Sequence, residues 1–369
     1  MNQKILSISR RTRSTPFTRR VETAGVRAYT VYNHMLLPTL FESIEADYWH
    51  LCEHVQVWDV SCERQVAITG PDSKRLIQLM TPRDISNTAL GQGLYAPLCD
   101  ENGGLINDPI TIKLADDHWW LSIADSDVKL WAKGLATGYG LDVSVSEAEI
   151  WPLAVQGPKA EELVARVFGE EVRNIRFFRS LMLDFKGSEM MVARSGYSKQ
   201  GGFEIYLNNA DLAEPLWDEL FQLGEDLNVK AGGPNLIERI ESGLLSYGND
   251  MTDSHTPFEC GLDTYINLDA DIESISLPAL RAFAGKHENL LVGLTFDAPM
   301  QVDNADIYDD GQFIGTISSH AWSPRYGKHL ALAMMKRDYL ANHATIRLND
   351  CLGAIVDLPF NLTSNTATG

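Results

Sequence analysis

One local pattern occurs twice in this chain of 369 residues: a short apolar strand, a Gly-Pro turn and a helix. The first copy is RQVAITGPDSKRLIQLMT (64–81) and the second is LAVQGPKAEELVARVFG (153–169). In the first copy Leu76, Leu79 and Met80 recur at helical spacing and share one face of the predicted helix. Two copies indicate two related subdomains. Strands and helices do not alternate strictly and no G-x-G-x-x-G turn occurs, so an α+β fold is predicted rather than a doubly wound dinucleotide fold.

Size and composition narrow the class of protein. The length exceeds that of one ordinary core, so two or three domains are expected. A formal net charge of -19 disfavours binding to nucleic acid, and no apolar run approaches the roughly 20 residues of a membrane span. The five cysteines are scattered and never spaced as C-x-x-C, which favours reduced thiols and offers no metal site. We expect a soluble cytoplasmic protein without bound metal, and a homodimer is the expected oligomeric state because dimers are the commonest soluble oligomers.

The segment RSGYSKQGGFEIYL (194–207) predicts a turn followed by a strand. Side chains alternate along a strand, so Glu204 and Tyr206 share the face opposite to the apolar residues of FEIYL. Two interpretations are open. The face is either solvated, or it forms a ligand site beside Gly201 and Gly202, where the backbone allows close approach.

A carboxylate stands on an apolar strand face in DENGGLINDPITIKL (100–114). Ile106, Ile110 and Ile112 alternate along this strand, and Asp108 falls in phase with them. A carboxylate that points inward is costly unless it is paired or functional. Alternatively, Pro109 interrupts the strand and turns the carboxylate outward.

Two further segments contain polar side chains on predicted elements. PNLIERIESGLLSYGND (234–250) predicts a helix that begins with Pro234. The simplest interpretation of its Arg239 is an exposed ion pair with Glu238 or Glu241. In HWWLSIADSD (118–127), Trp119 has the phase of a core residue, whereas Trp120 shares a face with Ser122. Beyond about residue 270, short strands and turns predict a small β-rich domain.

Together these stretches resemble one family. GYSKQGGFEI is similar to the G-Y-T-G-E-x-G-F-E-I signature of folate-dependent aminomethyltransferases, the T-protein of the glycine cleavage system. ENGGLINDPI resembles the N-x-G-G-[IV]-[IL]-D-D-L-[IV] strand of that family, and ERIESGLLSYGND resembles its R-L-E-x-G-x-x-L-Y-G-x-[ED] helix. The blocks agree in order and spacing over nearly the whole chain, which makes the resemblance more specific than any single motif.

The resemblance implies a fold and a set of binding residues. The expected fold has three domains in a clover-leaf around a folate channel: residues 1–55 with 150–275, residues 56–149, and a β-rich, barrel-like domain of residues 276–369. The implied co-substrate is tetrahydrofolate. The matching positions imply folate contacts by Tyr95, Asp108, Glu204 and Arg239. Asp108 is also the implied catalytic residue, which orients the pterin and stabilises positive charge that develops at N5.

Departures from the T-protein pattern imply a different donor. Lys199-Gln200 replaces Gly-Glu, Asn107 replaces the first aspartate of D-D, and IADSD replaces V-N-A, so that Ala124 corresponds to the folate-contacting asparagine. The segments SRRTRSTPF, YTVYNHMLLP and HVQVWDV are instead similar to a family member that demethylates dimethylsulfoniopropionate. This resemblance implies methyl transfer from that zwitterion to tetrahydrofolate, giving 3-methylthiopropionate and 5-methyltetrahydrofolate.

A sulfonium zwitterion needs recognition at both ends. Tyr197 and Tyr206 are candidates for the sulfonium, through cation–π attraction. Lys199 is the first candidate for the substrate carboxylate and Ser122 the second. Two alternatives to this function remain: an aminomethyltransferase acting on a lipoyl carrier, and a non-catalytic folate-binding family member.

Overall fold

The computed structural model describes residues 9–302, 305–348 and 351–362. In chain order its strands are β1 (Ala28–Tyr32), β2 (Met35–Leu40), β3 (Val55–Asp59), β4 (Gln65–Thr69), β5 (Gly93–Tyr95), β6 (Leu98–Cys99), β7 (Leu105–Asn107), β8 (Ile110–Ala115), β9 (His118–Ser122), β10 (Ser144–Glu147), β11 (Trp151–Gln156), β12 (Ser180–Phe185), β13 (Ser188–Ala193), β14 (Gly202–Leu207), β15 (Val229–Gly232), β16 (Asn289–Phe296), β17 (Asp306–Asp309), β18 (Gln312–Ser323), β19 (Lys328–Lys336), β20 (Thr345–Leu348) and β21 (Cys351–Val356). Its α-helices are α1 (Thr18–Thr23), α2 (Ile44–Glu53), α3 (Ser73–Met80), α4 (Val128–Tyr139), α5 (Ala160–Phe168), α6 (Ala213–Leu223), α7 (Leu236–Glu241), α8 (Leu277–Phe283) and α9 (Arg337–Leu340). The mixture of helices and largely antiparallel strands confirms the α+β class.

The chain forms two compact units, each built from more than one segment. The first contains the described residues up to Gln65, together with Ala148–Gly196 and Gln200–Pro234. The second contains Val66–Glu147, Tyr197–Lys199 and the described residues from Asn235 onward. The three-way division with boundaries near residues 55, 149 and 275 stays a prediction.

The first unit is organised by a six-stranded sheet in the order β12-β13-β14-β11-β3-β15, in which only β3 and β15 pair in parallel. Helices α5 and α6 lie in the same unit, and their apolar faces share one core with Phe203, Ile205 and Leu207 of β14. On the opposite face of β14, Glu204 pairs with Ala154 of β11, which pairs in turn with Trp58 of β3. Ala154 and Trp58 pack in a second cluster with residues of β2. Both faces of β14 are therefore covered.

The second unit contains two larger sheets. One has the order β10-β4-β9-β8-β5, and helices α3 and α4 share its apolar core, in which Trp119 is fully buried as predicted. The other has the order β17-β18-β19-β16-β21-β20 and supplies the β-rich C-terminal region that the sequence predicted. The short helix α7 packs on β18 and β19 of this second sheet.

Both copies of the strand, Gly-Pro, helix pattern are confirmed, as β4 with α3 and as β11 with α5. The two turn glycines have nearly the same backbone conformation, with φ of +124° at Gly70 and +122° at Gly157. A Cβ at either position would also collide with a backbone oxygen, that of Asp142 for the first and that of His54 for the second. Conformation and packing therefore both require glycine in these turns.

The predicted helix at 234–250 is much shorter than expected. Helix α7 begins at Leu236, because the side chain of Asn235 accepts hydrogen bonds from the N–H groups of Ile237 and Glu238 and so caps the helix. Pro234 therefore precedes the cap and is not the first helical residue. Gly243, with φ of +64°, follows the end of the helix.

The longest α-helix among the described residues, α4, has 12 residues, and no helix in this part of the chain combines the length and apolarity needed to cross a membrane. All five cysteines are free thiols. Cys62, Cys99 and Cys260 are buried, and Cys52 and Cys351 are partly exposed.

The twin turns give a stability prediction. Gly157→Ala and Gly70→Ala should each lower the free energy of unfolding by about 1–3 kcal/mol, because alanine is strained at positive φ and its Cβ meets a carbonyl oxygen. The measurement is the midpoint of denaturant unfolding. Gly134→Ala is the control, since Gly134 lies within α4 with open space around it. Alanine there should raise the free energy of unfolding by about 0.5–1 kcal/mol. Equal midpoints for all three variants would contradict the argument.

Candidate active site

The turn before β14 is held by the buried side chain of Gln156. Its Nε2 donates to the carbonyl oxygen of Ser195 at 3.1 Å and lies 3.5 Å from that of Phe203, so one amide contacts both sides of the turn. A Cβ at Gly196 or at Gly202 would overlap the Gln156 side chain. Packing against Gln156 therefore explains these two glycines.

Glu204 is buried within the first unit, with only 7% of its surface exposed. Its Oε2 accepts hydrogen bonds from the hydroxyl of Ser195 and, at 3.3 Å, from that of Tyr206. The described residues provide no hydrogen-bond partner for the other carboxylate oxygen. Burial raises the pKa of the Glu204 carboxyl above its ordinary value, and the two hydroxyl donors oppose this rise. The interpretation of this strand face as solvated is therefore wrong.

Tyr206 lies beside Glu204, as the strand alternation predicted. The residue is 2% exposed. It pairs across the sheet with Pro152 of β11 and Met191 of β13. Its hydroxyl donates to Glu204, so the polar end of this side chain is engaged within the protein.

Asp108 lies in a gap between two strands of the second unit. Strand β7 ends at Asn107 and β8 begins at Ile110, so the predicted interruption at Pro109 is what the structure contains. The carboxylate nevertheless does not simply face water, because the hydroxyl of Tyr95 donates to Oδ2 at 3.0 Å. Asp108 keeps partial solvent access, yet the surrounding protein raises its pKa to about 7 by burial, against the effect of the Tyr95 hydrogen bond.

Several tyrosines lie near this carboxylate. Tyr95 packs on Tyr265 with ring centroids 4.7 Å apart. Burial raises the pKa of Tyr247 to about 12, with smaller contributions from Asp253 and Asp108. Burial also raises the pKa of Tyr197; Arg239 opposes this shift, while Asp250 and Asp108 add to it. The structure thus brings Tyr95 and Tyr197 of the predicted set within electrostatic range of Asp108.

The segment Tyr197–Lys199 is attached to α7 and the residues that follow it. The Tyr197 hydroxyl donates to the carbonyl oxygen of Leu245 at 2.7 Å. The backbone N–H of Lys199 donates to the buried carboxylate of Glu238 at 2.9 Å, and Ser242 donates to the same oxygen. The backbone of Lys199 is held, whereas its ammonium group is exposed and has no partner in the described part of the chain.

Arg239 forms a buried ion pair, so its interpretation as part of an exposed pair with Glu238 or Glu241 is wrong. Its guanidinium donates to Asp250 at 2.9 Å and to the hydroxyl of Ser319 at 2.6 Å, and the Arg239 side chain is only 10% exposed. Ion pairs buried to this degree are stable only when further donors satisfy the carboxylate, as Ser319 does here. The predicted folate contact of Arg239 stays a prediction.

Ser122 shares a sheet face with Tyr95. Tyr95 of β5 pairs with Ile110 of β8, which pairs with Ser122 of β9. Residues at paired positions point to the same side of a sheet, so all three side chains lie on one face. Of the predicted residues, the second unit contains Tyr95, Asp108, Ser122, Tyr197, Lys199 and Arg239, and the first contains Glu204 and Tyr206.

Sequence reasoning missed several residues that hold these groups. Ser195 was not named, although the hairpin register signals it: Ala193 pairs with Glu204, which puts Ser195 on the same face two residues further on. Glu238 was named only as a surface partner of Arg239. Tyr265 lies far along the chain in a short 3-10 helix (Asp263–Tyr265), and no local pattern indicated that it packs against Tyr95.

Comparison with known proteins identifies the family. The sequence model described as GCVT N-terminal domain matches residues 17–270, and that described as glycine cleavage T-protein C-terminal barrel domain matches residues 290–360. This chain belongs to the glycine cleavage T-protein family. The match over its C-terminal part confirms the predicted barrel-like domain.

Individual relatives cover most of the chain. It is 52% identical over 336 residues to the dimethylsulfoniopropionate demethylase DmdA of Ruegeria pomeroyi, covering 90% of this chain and 92% of that protein. It is 30% identical over 314 residues to an aminomethyltransferase of Clostridium botulinum, covering 82% of this chain and 84% of the relative. The crystal structure of glycine cleavage system aminomethyltransferase T from Bartonella henselae has the same fold, with a TM-score of 0.83, 22% identity, and coverage of 94% of this chain and 97% of that one.

The raised pKa of Asp108 predicts a pH-dependent stability difference. Between its ordinary value of 3.8 and about 7 the folded state holds a proton that the unfolded chain has lost, so the free energy of unfolding falls as pH rises through this window. Asp108→Asn removes the titration while keeping an acceptor for Tyr95. The melting temperature of this variant relative to wild type should therefore be higher at pH 8 than at pH 4. A difference that does not change with pH would contradict the assignment.

Proposed function

We propose that this protein transfers a methyl group from dimethylsulfoniopropionate to N5 of tetrahydrofolate, giving 3-methylthiopropionate and 5-methyltetrahydrofolate, and that it does so in the cytoplasm. The observation that carries the proposal is the 52% identity to a dimethylsulfoniopropionate demethylase over 90% of the chain, against 30% to an aminomethyltransferase over 82%. The five free thiols support a reducing compartment.

The buried carboxylate of Glu204 fits the pterin of tetrahydrofolate. Pterin presents adjacent N–H donors along one edge, and a carboxylate is an acceptor suited to such a pair. Ser195 and Tyr206 hold one oxygen of Glu204 and leave the other for a ligand. We assign Glu204 as the main pterin contact, with Tyr95 and Asp108 as further contacts. Arg239 is a weaker candidate, because Asp250 and Ser319 already engage its guanidinium.

Aromatic rings and a carboxylate suit the sulfonium end of the substrate. The hydroxyls of Tyr197 and Tyr206 are already hydrogen-bonded within the protein, so each offers a ligand its ring. A cation over such a ring gains about 2 kcal/mol when it is desolvated. Asp108 adds a negative charge on the side of Tyr197.

Lys199 is the first candidate for the substrate carboxylate. Its ammonium group is exposed and unpaired among the described residues, while its backbone is held by Glu238. Ser122 remains the second candidate, since it lies on the same sheet face as Tyr95. Recognition of the two ends by different groups would select a short zwitterion over a neutral thioether.

The chemistry requires positioning more than proton transfer. A sulfonium is already a good leaving group, so the chain must hold sulfur, methyl carbon and nucleophile in line, and orientation of this kind can contribute roughly 7–11 kcal/mol. Asp108 would stabilise the positive charge that develops at N5, provided that it is ionised. Its pKa of about 7 therefore sets the pH range in which it can act.

Identification of the folate product tests the proposal. The protein is incubated with tetrahydrofolate and either dimethylsulfoniopropionate or an aminomethylated lipoyl carrier, and the folate product is identified by mass spectrometry. We expect 5-methyltetrahydrofolate from the sulfonium donor. Formation of 5,10-methylenetetrahydrofolate from the carrier would establish the aminomethyltransferase alternative, and no product with either donor would favour a non-catalytic folate-binding role.

Glu204→Gln tests the pterin contact. An amide places a donor where the pterin edge also has donors, and an unpaired buried donor costs about 1–3 kcal/mol. Calorimetric titration with tetrahydrofolate should show at least a roughly fivefold to tenfold loss of affinity, as expected from 1.4 kcal/mol per factor of ten. The control is Glu189→Gln, since Glu189 is an exposed residue near the start of β13, and this variant should bind as wild type does. Unchanged affinity of Glu204→Gln would remove Glu204 as the pterin contact.

A further inference from the structure

A buried amide lies directly before Asp108. The side chain of Asn107 is fully buried. Its Nδ2 donates to the carbonyl oxygen of Ala124 at 3.1 Å and to the hydroxyl of Ser126 at 2.8 Å, and its Oδ1 accepts from the N–H of Ala124 at 3.0 Å. The Ser126 hydroxyl in turn donates to the carbonyl oxygen of Ile106 at 3.0 Å. We refer to Asn107, Ala124 and Ser126 as the Asn107 cluster.

The Asn107 cluster requires an amide at position 107. Ala124 presents both a donor and an acceptor to this side chain, and only a group with both functions can satisfy the two. With a carboxylate at position 107, one of its oxygens would face the carbonyl oxygen of Ala124. Both atoms are acceptors, and the buried position excludes a bridging water. A second carboxylate would also stand next to Asp108 in the sequence, where like charges disfavour ionisation.

The cluster holds the backbone on one side of Asp108. Asp108 and Pro109 form the gap between β7 and β8, so no strand pairing holds Asp108 itself. On the far side, the carbonyl of Pro109 accepts from the N–H of Ala96 at 3.0 Å, and Ile110 pairs with Tyr95. On the near side, Asn107 pairs with Leu98 of β6, and its side chain adds the contacts of the Asn107 cluster.

We infer that Asn107 is a positioning residue that sets the carboxylate of Asp108 against Tyr95 through the Asn107 cluster. The inference rests on the proposed function, in which Asp108 acts in methyl transfer. It also connects two departures from the T-protein pattern, Asn107 for aspartate and IADSD for V-N-A, because the side chains of Asn107 and of Ser126 in IADSD bond to each other in this cluster. Part of the difference in chemistry between this chain and the aminomethyltransferases then resides in how Asp108 is held.

A double-mutant cycle tests the inference. Asn107→Asp should lower kcat by about tenfold or more, since misplacement by about 1 Å can cost up to roughly a hundredfold, while the KM for dimethylsulfoniopropionate stays within about twofold. In an Asp108→Asn background, Asn107→Asp should have no further effect on kcat, because its effect passes through Asp108. Ser126→Ala is the milder variant if Asn107→Asp folds poorly, and it should show a smaller loss with the same dependence on Asp108.

The matched control is Asn33→Asp. Asn33 is also a buried asparagine whose Nδ2 donates to a backbone carbonyl, that of Cys62, but it lies in the first unit. This variant should lose stability without a change in kcat. Equal losses of kcat in both Asp108 backgrounds, or a rise in KM alone, would overturn the inference while the proposed function stands. If the wild-type protein forms no methylated folate with dimethylsulfoniopropionate, the proposed function fails, and the inference fails with it.

Discussion

The packing of Gln156 against the turn of residues 195–203 is the constraint on which the position of Glu204, the proposed pterin contact, depends. One buried amide contacts backbone carbonyls on both sides of the turn, and this is only possible where no Cβ intervenes at Gly196 or Gly202. These contacts fix the backbone of the turn, and they place the hydroxyl of Ser195 where it donates to the carboxylate of Glu204. The unusual glycine content of this segment follows from contact with a neighbouring strand, before any ligand is considered.

The two proposed ligand-binding carboxylates are stabilised by hydroxyl groups. Tyr206 and Ser195 donate to Glu204, and Tyr95 donates to Asp108. Within the described residues, no lysine or arginine lowers the pKa of either carboxyl group, and burial raises the pKa of both. Asp250, by contrast, is paired with Arg239. A carboxylate that already forms an ion pair attracts a further ligand only weakly. Glu204 and Asp108, which accept only from hydroxyl groups, are therefore better suited to ligand binding than Asp250, which stabilises the fold through Arg239.

Much of the fold could be predicted from local pattern, because strand alternation, Gly-Pro turns and helical spacing act within a few residues. The failures arise where distant segments decide the outcome. Glu204 is buried on the sheet face where Ala154, its partner on the next strand, packs in a cluster with residues of β2, and no pattern within 194–207 reports that burial. Arg239 pairs with Asp250 across a loop rather than with the glutamates beside it. Helix α7 begins at Leu236 because Asn235 caps it, although Pro234 is an equally good start by composition, and it ends at Glu241, shortly before Gly243 with its positive φ.

A carboxyl group with a pKa near neutrality exchanges protons when a charged molecule arrives. Near pH 7 about half of the Asp108 side chains carry a proton, given a pKa of about 7. A bound cation favours the ionised form, so binding would release a fraction of a proton to the solvent, and the apparent affinity would rise with pH around neutrality. The acidity of the surrounding medium then enters the binding equilibrium directly, and a more acidic medium would weaken the binding of a ligand whose cationic group lies near Asp108.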